Sequence, residues 1–129
     1  MCKTMNEETM RIAVTAQGRD LRAPIDPRFG RAKFFVVVDP ATGEFSAVDN
    51  TQNLNAAQGA GIQAGRNVVE LGANAVITGH VGPKAFTTLQ AGGVAVYTDA
   101  TGTVADAIEQ FKAGKLRRSS AADVEGHWV

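Results

Sequence analysis

The sequence predicts an α/β domain built on one mixed five-stranded sheet with flanking helices. Three features carry that expectation. Residues 33–39 (KFFVVVD) and 44–50 (EFSAVDN) flank a turn containing Pro40 and Gly43, the pattern of an antiparallel hairpin. Residues 75–79 (AVITG) and 94–97 (VAVY) are short apolar runs, each preceding a helical stretch, which is the alternation of parallel strands with crossover helices. The chain has 129 residues, 44% apolar and 20% charged, enough for one core.

In chain order, residues 1–9 lack apolar periodicity and read as a disordered leader, so the domain opens at Met10. Residues 11–16 (RIAVTA) form a buried first strand. Residues 17–32 form a loop holding Pro24, Pro27 and Gly30, and a loop of that length in a small domain is often functional. The hairpin follows, then a polar loop over 51–55. A helix over 56–71 carries the small stripe Ala57, Gly61, Ala64, Val68 and Leu71, which would let its backbone approach the sheet closely. Gly59, Gly61 and Gly65 weaken its propensity, and Gly72 caps it. After the AVITG strand, Pro83 suits the first position of a helix reaching Ala91, and Gly92-Gly93 stops it. After the VAVY strand, Thr103 and Asp106 have the spacing of a capping box. Val104, Ala107, Ile108 and Phe111 mark the buried face of that last helix, which Gly114 ends. Residues 10–114 thus form one binding domain, and 115–129 read as a flexible tail. The order is β-β-β-α-β-α-β-α. Its first, fourth and fifth strands are expected to be parallel through right-handed crossovers, a ribonuclease H-like layout.

Thirteen basic and thirteen acidic residues cancel, so the overall charge marks neither a nucleic-acid nor an anionic-membrane binder. The longest apolar run is five residues, Phe34–Val38, far short of a membrane-spanning helix. Cys2 is the sole cysteine, so no intramolecular disulfide or thiolate cage forms. The first ten residues have no apolar core of a signal peptide, and a cytoplasmic protein is expected. Charge is uneven locally. Residues 17–33 hold five cations and two anions, whereas 34–65 hold Asp39, Glu44 and Asp49 and no cation.

Two segments could carry chemistry. In Pro24-Ile25-Asp26-Pro27-Arg28-Phe29-Gly30-Arg31-Ala32, two arginines could clamp an anion with planar donor forks. By spacing alone a rigid connector is the stronger reading, with Phe29 plugging the core and the arginines solvated. Thr78-Gly79-His80-Val81-Gly82-Pro83-Lys84-Ala85 leaves a strand and opens a helix, where free amides favour anions. Lys84 adds charge there. His80 could donate a hydrogen bond or bind a metal, although a lone histidine is more often structural. The spacing matches neither a Walker loop nor a dinucleotide fingerprint. The amides of 53–61 could face the same edge, with capping by Asn53 or Asn55 slightly preferred. His127-Trp128 could form a lid, but a frayed terminus is the simpler reading. A two-metal nuclease is disfavoured because RIAVTA has no carboxylate and Asp39, Asp49 and Asp99 fall at strand ends. No nucleophile–base pair stands out either, so no enzyme is expected.

Asp26-Pro27-Arg28-Phe29-Gly30-Arg31-Ala32, Gly59-Ala60-Gly61, 72–79 (GANAVITG) and Gly82-Pro83-Lys84-Ala85-Phe86 together resemble the dinitrogenase iron–molybdenum cofactor biosynthesis family. The resemblance covers roughly Met10 to Gly114. It implies a ribonuclease H-like scaffold that carries a metal–sulfide cluster without turnover. It is similar to the orange-protein-like members, which hold a molybdenum–copper sulfide cluster without cysteine ligands. An iron–molybdenum–sulfur cluster is the alternative cargo. The implied binding residues are Arg28, Phe29, Gly30, Arg31, Gly79, His80, Gly82, Pro83 and Lys84, with no direct protein–metal bond. The implied partners are the inorganic cluster and a protein in cofactor delivery, with no nucleic acid or membrane. A regulatory or protein-interaction module binding a small anion is the competing reading.

Overall fold

Strand β1 (Ile12–Ala16) is buried along its whole length, as a strand covered on both faces must be. The computed structural model containing it describes residues 10–50 and 60–118. β1 lies inside a sheet that also contains β2 (Phe34–Val38), β3 (Phe45–Asp49), β4 (Ala75–Ile77), β5 (Ala95–Thr98) and β6 (Arg117–Arg118). The spatial order is β3-β2-β1-β4-β5-β6. β1 pairs antiparallel with β2, and β2 with β3, so the expected hairpin is present. β1, β4 and β5 are mutually parallel, as the alternation of strands and helices requires.

Three α-helices among the described residues pack on this sheet: α1 (Ala60–Glu70), α2 (Pro83–Ala91) and α3 (Val104–Lys112). The period of two along each strand divides the core into two halves. Ile12, Val14, Val36, Val38 and Ile77 face α3 and pack on Val104, Ala107 and Ile108. Ala13, Phe35, Val76 and Val96 face the other way, onto Ala64 and Val68 of α1 and Ala85, Phe86 and Leu89 of α2. The predicted capping box of α3 is made: Thr103 Oγ1 accepts the Asp106 amide at 3.2 Å, and Asp106 accepts the Thr103 amide at 3.1 Å.

The five expected strands occur in the expected order, and the structure adds a sixth. Gly114, at a φ of 73°, turns the chain after α3, and Arg117–Arg118 pair antiparallel with Thr98 and Tyr97. The segment read as a flexible tail therefore begins with a strand. Two backbone-paired residues have no side-chain periodicity for sequence patterning to detect. Gly65, expected only to weaken the helix, also lets α1 approach α2 closely. A Cβ on Gly65 would sit 3.0 Å from Thr88 Cγ2 on α2. The expected helix start at 56–59, the leader with Cys2, and His127-Trp128 lie outside the described residues.

Candidate anion site at the strand ends

The parallel strands β1 and β4 end side by side, and each is followed by one of the two segments singled out in the sequence. After β1 the chain runs through 17–33; after β4 it runs through 78–82 into α2. The two segments are stitched together by backbone. The His80 amide donates to Pro27 O at 2.7 Å, and the Phe29 amide donates to His80 O at 3.2 Å, so Arg28 and His80 form a parallel bridge. Contact is close enough to require glycine next to it. A Cβ on Gly79 would lie 2.8 Å from both the Cα and the carbonyl oxygen of Pro27.

Phe29, Gly30 and Arg31 form a single 3-10 turn. Phe29 is fully buried, with its ring 5.7 Å from that of Phe35. Its role is therefore to pin the loop onto the α1–α2 side of the core; it has no face left for a ligand, which removes it from the direct binding residues. Arg28 is exposed beside this plug. Gly79 and Gly82 are buried and offer backbone, whereas His80 is half-buried and Pro83 and Lys84 are exposed. Gly82 caps α2 without a side chain, and Pro83 fills the first helical position, as expected. Lys84 also borders a shallow cavity of about 350 Å³ with Ile62, Thr87 and Thr88. The structure thus unites 28–31 with 79–80 and places 82–84 directly after them.

Sequence reasoning missed the polar anchors beneath this surface. Thr15 and Thr78 are both fully buried, and their hydroxyl oxygens lie 2.9 Å apart. Thr15 Oγ1 is also 2.7 Å from Asp26 O. A carbonyl can only accept and Thr15 has one proton, so Thr15 donates to Asp26 and receives from Thr78. The Asp26 amide returns a bond to Thr15 O at 2.9 Å. Asp26 Oδ1 accepts the Arg28 amide at 3.0 Å, setting the turn that presents Arg28. Partial burial pushes the Asp26 carboxyl above the usual carboxylate range, opposed by that amide and by the charges of Arg28 and Lys33. Asn50 is a second anchor: fully buried, it donates from Nδ2 to Ala32 O at 2.8 Å. Thr15 was visible as the one hydroxyl in RIAVTA; Asn50 gave no signal. Arg19 also stacks 5.0 Å above the Phe34 ring, adding a cation at this end of the sheet.

Thr15→Val should cost about 1–3 kcal/mol, because it leaves Asp26 O and the Thr78 hydroxyl without their shared partner. A thermal melt should show a drop of roughly 4 °C or more, with Thr15→Ser near the parent. Equal melting of Thr15→Val and parent would mean the hydroxyl pair contributes nothing.

Among the described residues, no three His, Cys, Asp or Glu side chains gather as a metal-ion cage. The donors at the strand ends are guanidinium, ammonium and backbone amides, a set suited to an anion. The dinitrogenase iron-molybdenum cofactor family model matches residues 10–114. The chain belongs to that family. The family assignment agrees with solved structures. The apo orange protein from Desulfovibrio gigas superposes with a TM-score of 0.87 at 44% identity, covering 90% of this chain and 98% of that one. A NifB-like protein from Thermotoga gives a TM-score of 0.75 at 34% identity, covering 89% and 99%. An uncharacterised protein of Methanocaldococcus jannaschii is 30% identical over 92% of this chain and 98% of its own length. A metal-cluster binding or carrier role fits both the family and the orange-protein neighbour. No described helix is long and apolar enough to cross a membrane.

Proposed function

We propose that this protein is a non-catalytic carrier of a preassembled anionic metal–sulfide cluster, of molybdenum–copper type, with an iron–molybdenum–sulfur cluster as the alternative. The observation that carries this reading is the junction of the arginine loop with the Gly79–His80 turn. There Arg28 lies beside the strand end that leads through Gly82 and Pro83 to Lys84 and the first-turn amides of α2. Arg28, Arg31 and Lys84 supply positive charge, and the backbone at Gly30, Gly79 and Gly82 permits close approach. The amides of Lys84 and Ala85 have no intrahelical acceptor. His80 adds a ring nitrogen at the edge. The domain has no cysteine, so sulfide on the cluster is the metal's ligand and the protein binds the sulfide surface. A protein partner that loads or receives the cluster, in the cytoplasm, completes this reading.

The test is reconstitution with tetrathiomolybdate and copper, followed by visible spectroscopy and elemental analysis for molybdenum, copper and iron. Arg31→Ala removes one charge-assisted contact, worth roughly 1.5–3 kcal/mol, so affinity should fall about tenfold or more. Lys112, at the far end of α3 beside the Pro40–Gly43 turn, is the control, and Lys112→Ala should leave affinity unchanged. A colourless, metal-free protein after reconstitution would favour a small-anion or protein-interaction module instead.

A further inference from the structure

Within the acidic segment, β3 carries no residue of the site above and is one of the two sheet edges among the described strands. The edges differ. β6 has two residues, both arginine, and short charged edges resist further pairing. β3 has five residues, with no proline and no cation. Glu44 O accepts the Asp39 amide and the Asn50 amide donates to Lys33 O, so residues 44 and 50 bond inward to β2. Alternation along an antiparallel ladder then turns the backbone of Phe45 and Ala47 outward. Those residues offer amides and carbonyls that no described strand takes. Phe45 is 45% exposed, the one large apolar side chain so exposed among the described residues. Beside it, Val37, Val48 and Leu71 help line a cavity of about 440 Å³ whose rim carries Asp39 and Glu44. Asp39 Oδ1 accepts the Ala41 amide, and Glu44 is the more exposed carboxylate of the two.

We infer that the outer edge of β3 is a docking strand for an extended, basic peptide segment of another protein. The backbone of Phe45 and Ala47 supplies a main-chain ladder, Phe45 takes apolar side chains on one face, and Glu44, on the face of the cavity, selects lysine or arginine. A second copy of this chain fits less well, because antiparallel self-pairing of β3 would bring acidic strands together without a cation. The cavity borders Arg11, before β1, and the anion site follows β1's opposite end, so both could be occupied together.

The probe is an acetylated, amidated hexapeptide alternating lysine with valine, about 20 Å long when extended and so matched to β3. Its glutamate counterpart is the control. Titration by NMR at low salt should show binding of the lysine peptide, with slowed hydrogen exchange at the Phe45 and Ala47 amides. Ala47→Pro should abolish it, since the lost amide points outward and edge strands tolerate proline. Glu44→Lys, an exposed change that keeps the fold, should weaken it about threefold or more. No protection at Phe45 and Ala47, equal binding of the glutamate peptide, or indifference to Glu44→Lys would overturn the proposal. So would sedimentation showing a dimer that Ala47→Pro dissolves, because the occupant would then be a second copy.

Discussion

Phe29→Ala should lower stability by about 3–5 kcal/mol, the cost of removing a fully buried aromatic from a packed core. That is a large share of the roughly 5–15 kcal/mol that holds a typical domain together. The loss should not be uniform. Phe29 joins a 3-10 turn to Phe35, Ala64, Val68 and Phe86 in one half of the core, and that turn, with the backbone bonds between the loop and His80, fixes Arg28 relative to β4. Urea denaturation should show a lower midpoint with an unchanged slope, as expected for a cavity rather than a different unfolded state. At low urea the folded fraction should already bind the cluster more weakly than Arg28→Ala does, because the whole loop loses its seat. A change below about 1 kcal/mol would mean the loop relaxes into the void and that the ring is a poor anchor.

Gly79→Ala should be strongly damaging for a single added methyl. The new Cβ would meet the Cα and carbonyl oxygen of Pro27 at 2.8 Å, and both are backbone atoms that cannot rotate away. Either the loop or the strand end must move, at about 1–3 kcal/mol for overpacking. The bonds between His80 and Pro27 and between Phe29 and His80 span the same gap, so they should lengthen together. Hydrogen exchange at the His80 and Phe29 amides should accelerate more than exchange in α3, which packs on the opposite face. Cluster affinity should fall with it. Native exchange rates at both amides would show that the loop absorbs the methyl and that the junction is looser than the distances imply.

The elements legible in the sequence were those whose signal is local. Phe34–Val38 is a run of apolar and β-branched residues, so it reads as a strand wherever it is placed. Pro83 and the Thr103–Asp106 box mark helix starts by their own chemistry. The alternation of strand and helix after residue 72 dictated parallel pairing with β1, and with it the convergence of two loops at one end. The motif residues 28–31 and 79–84 also carried the family resemblance, so the site's constituents were visible before its shape. Tertiary structure alone decided which residues face a ligand and which hold the others in place. Nothing in Arg28-Phe29-Gly30-Arg31 says that the ring turns inward; that follows from the space beside Phe35 and Ala64. Nothing in RIAVTA says that its hydroxyl meets Thr78 and Asp26, because residues 11 and 63 positions away are neighbours only once β1 and β4 pair. β6 exists because Gly114 aims two arginines at an unfilled edge of β5, a long-range backbone vacancy that leaves no pattern in the side chains. Periodicity records which face a residue turns to the core. Burial, close approach and shared hydrogen bonds belong to pairs of distant residues, and only the folded chain brings those pairs together.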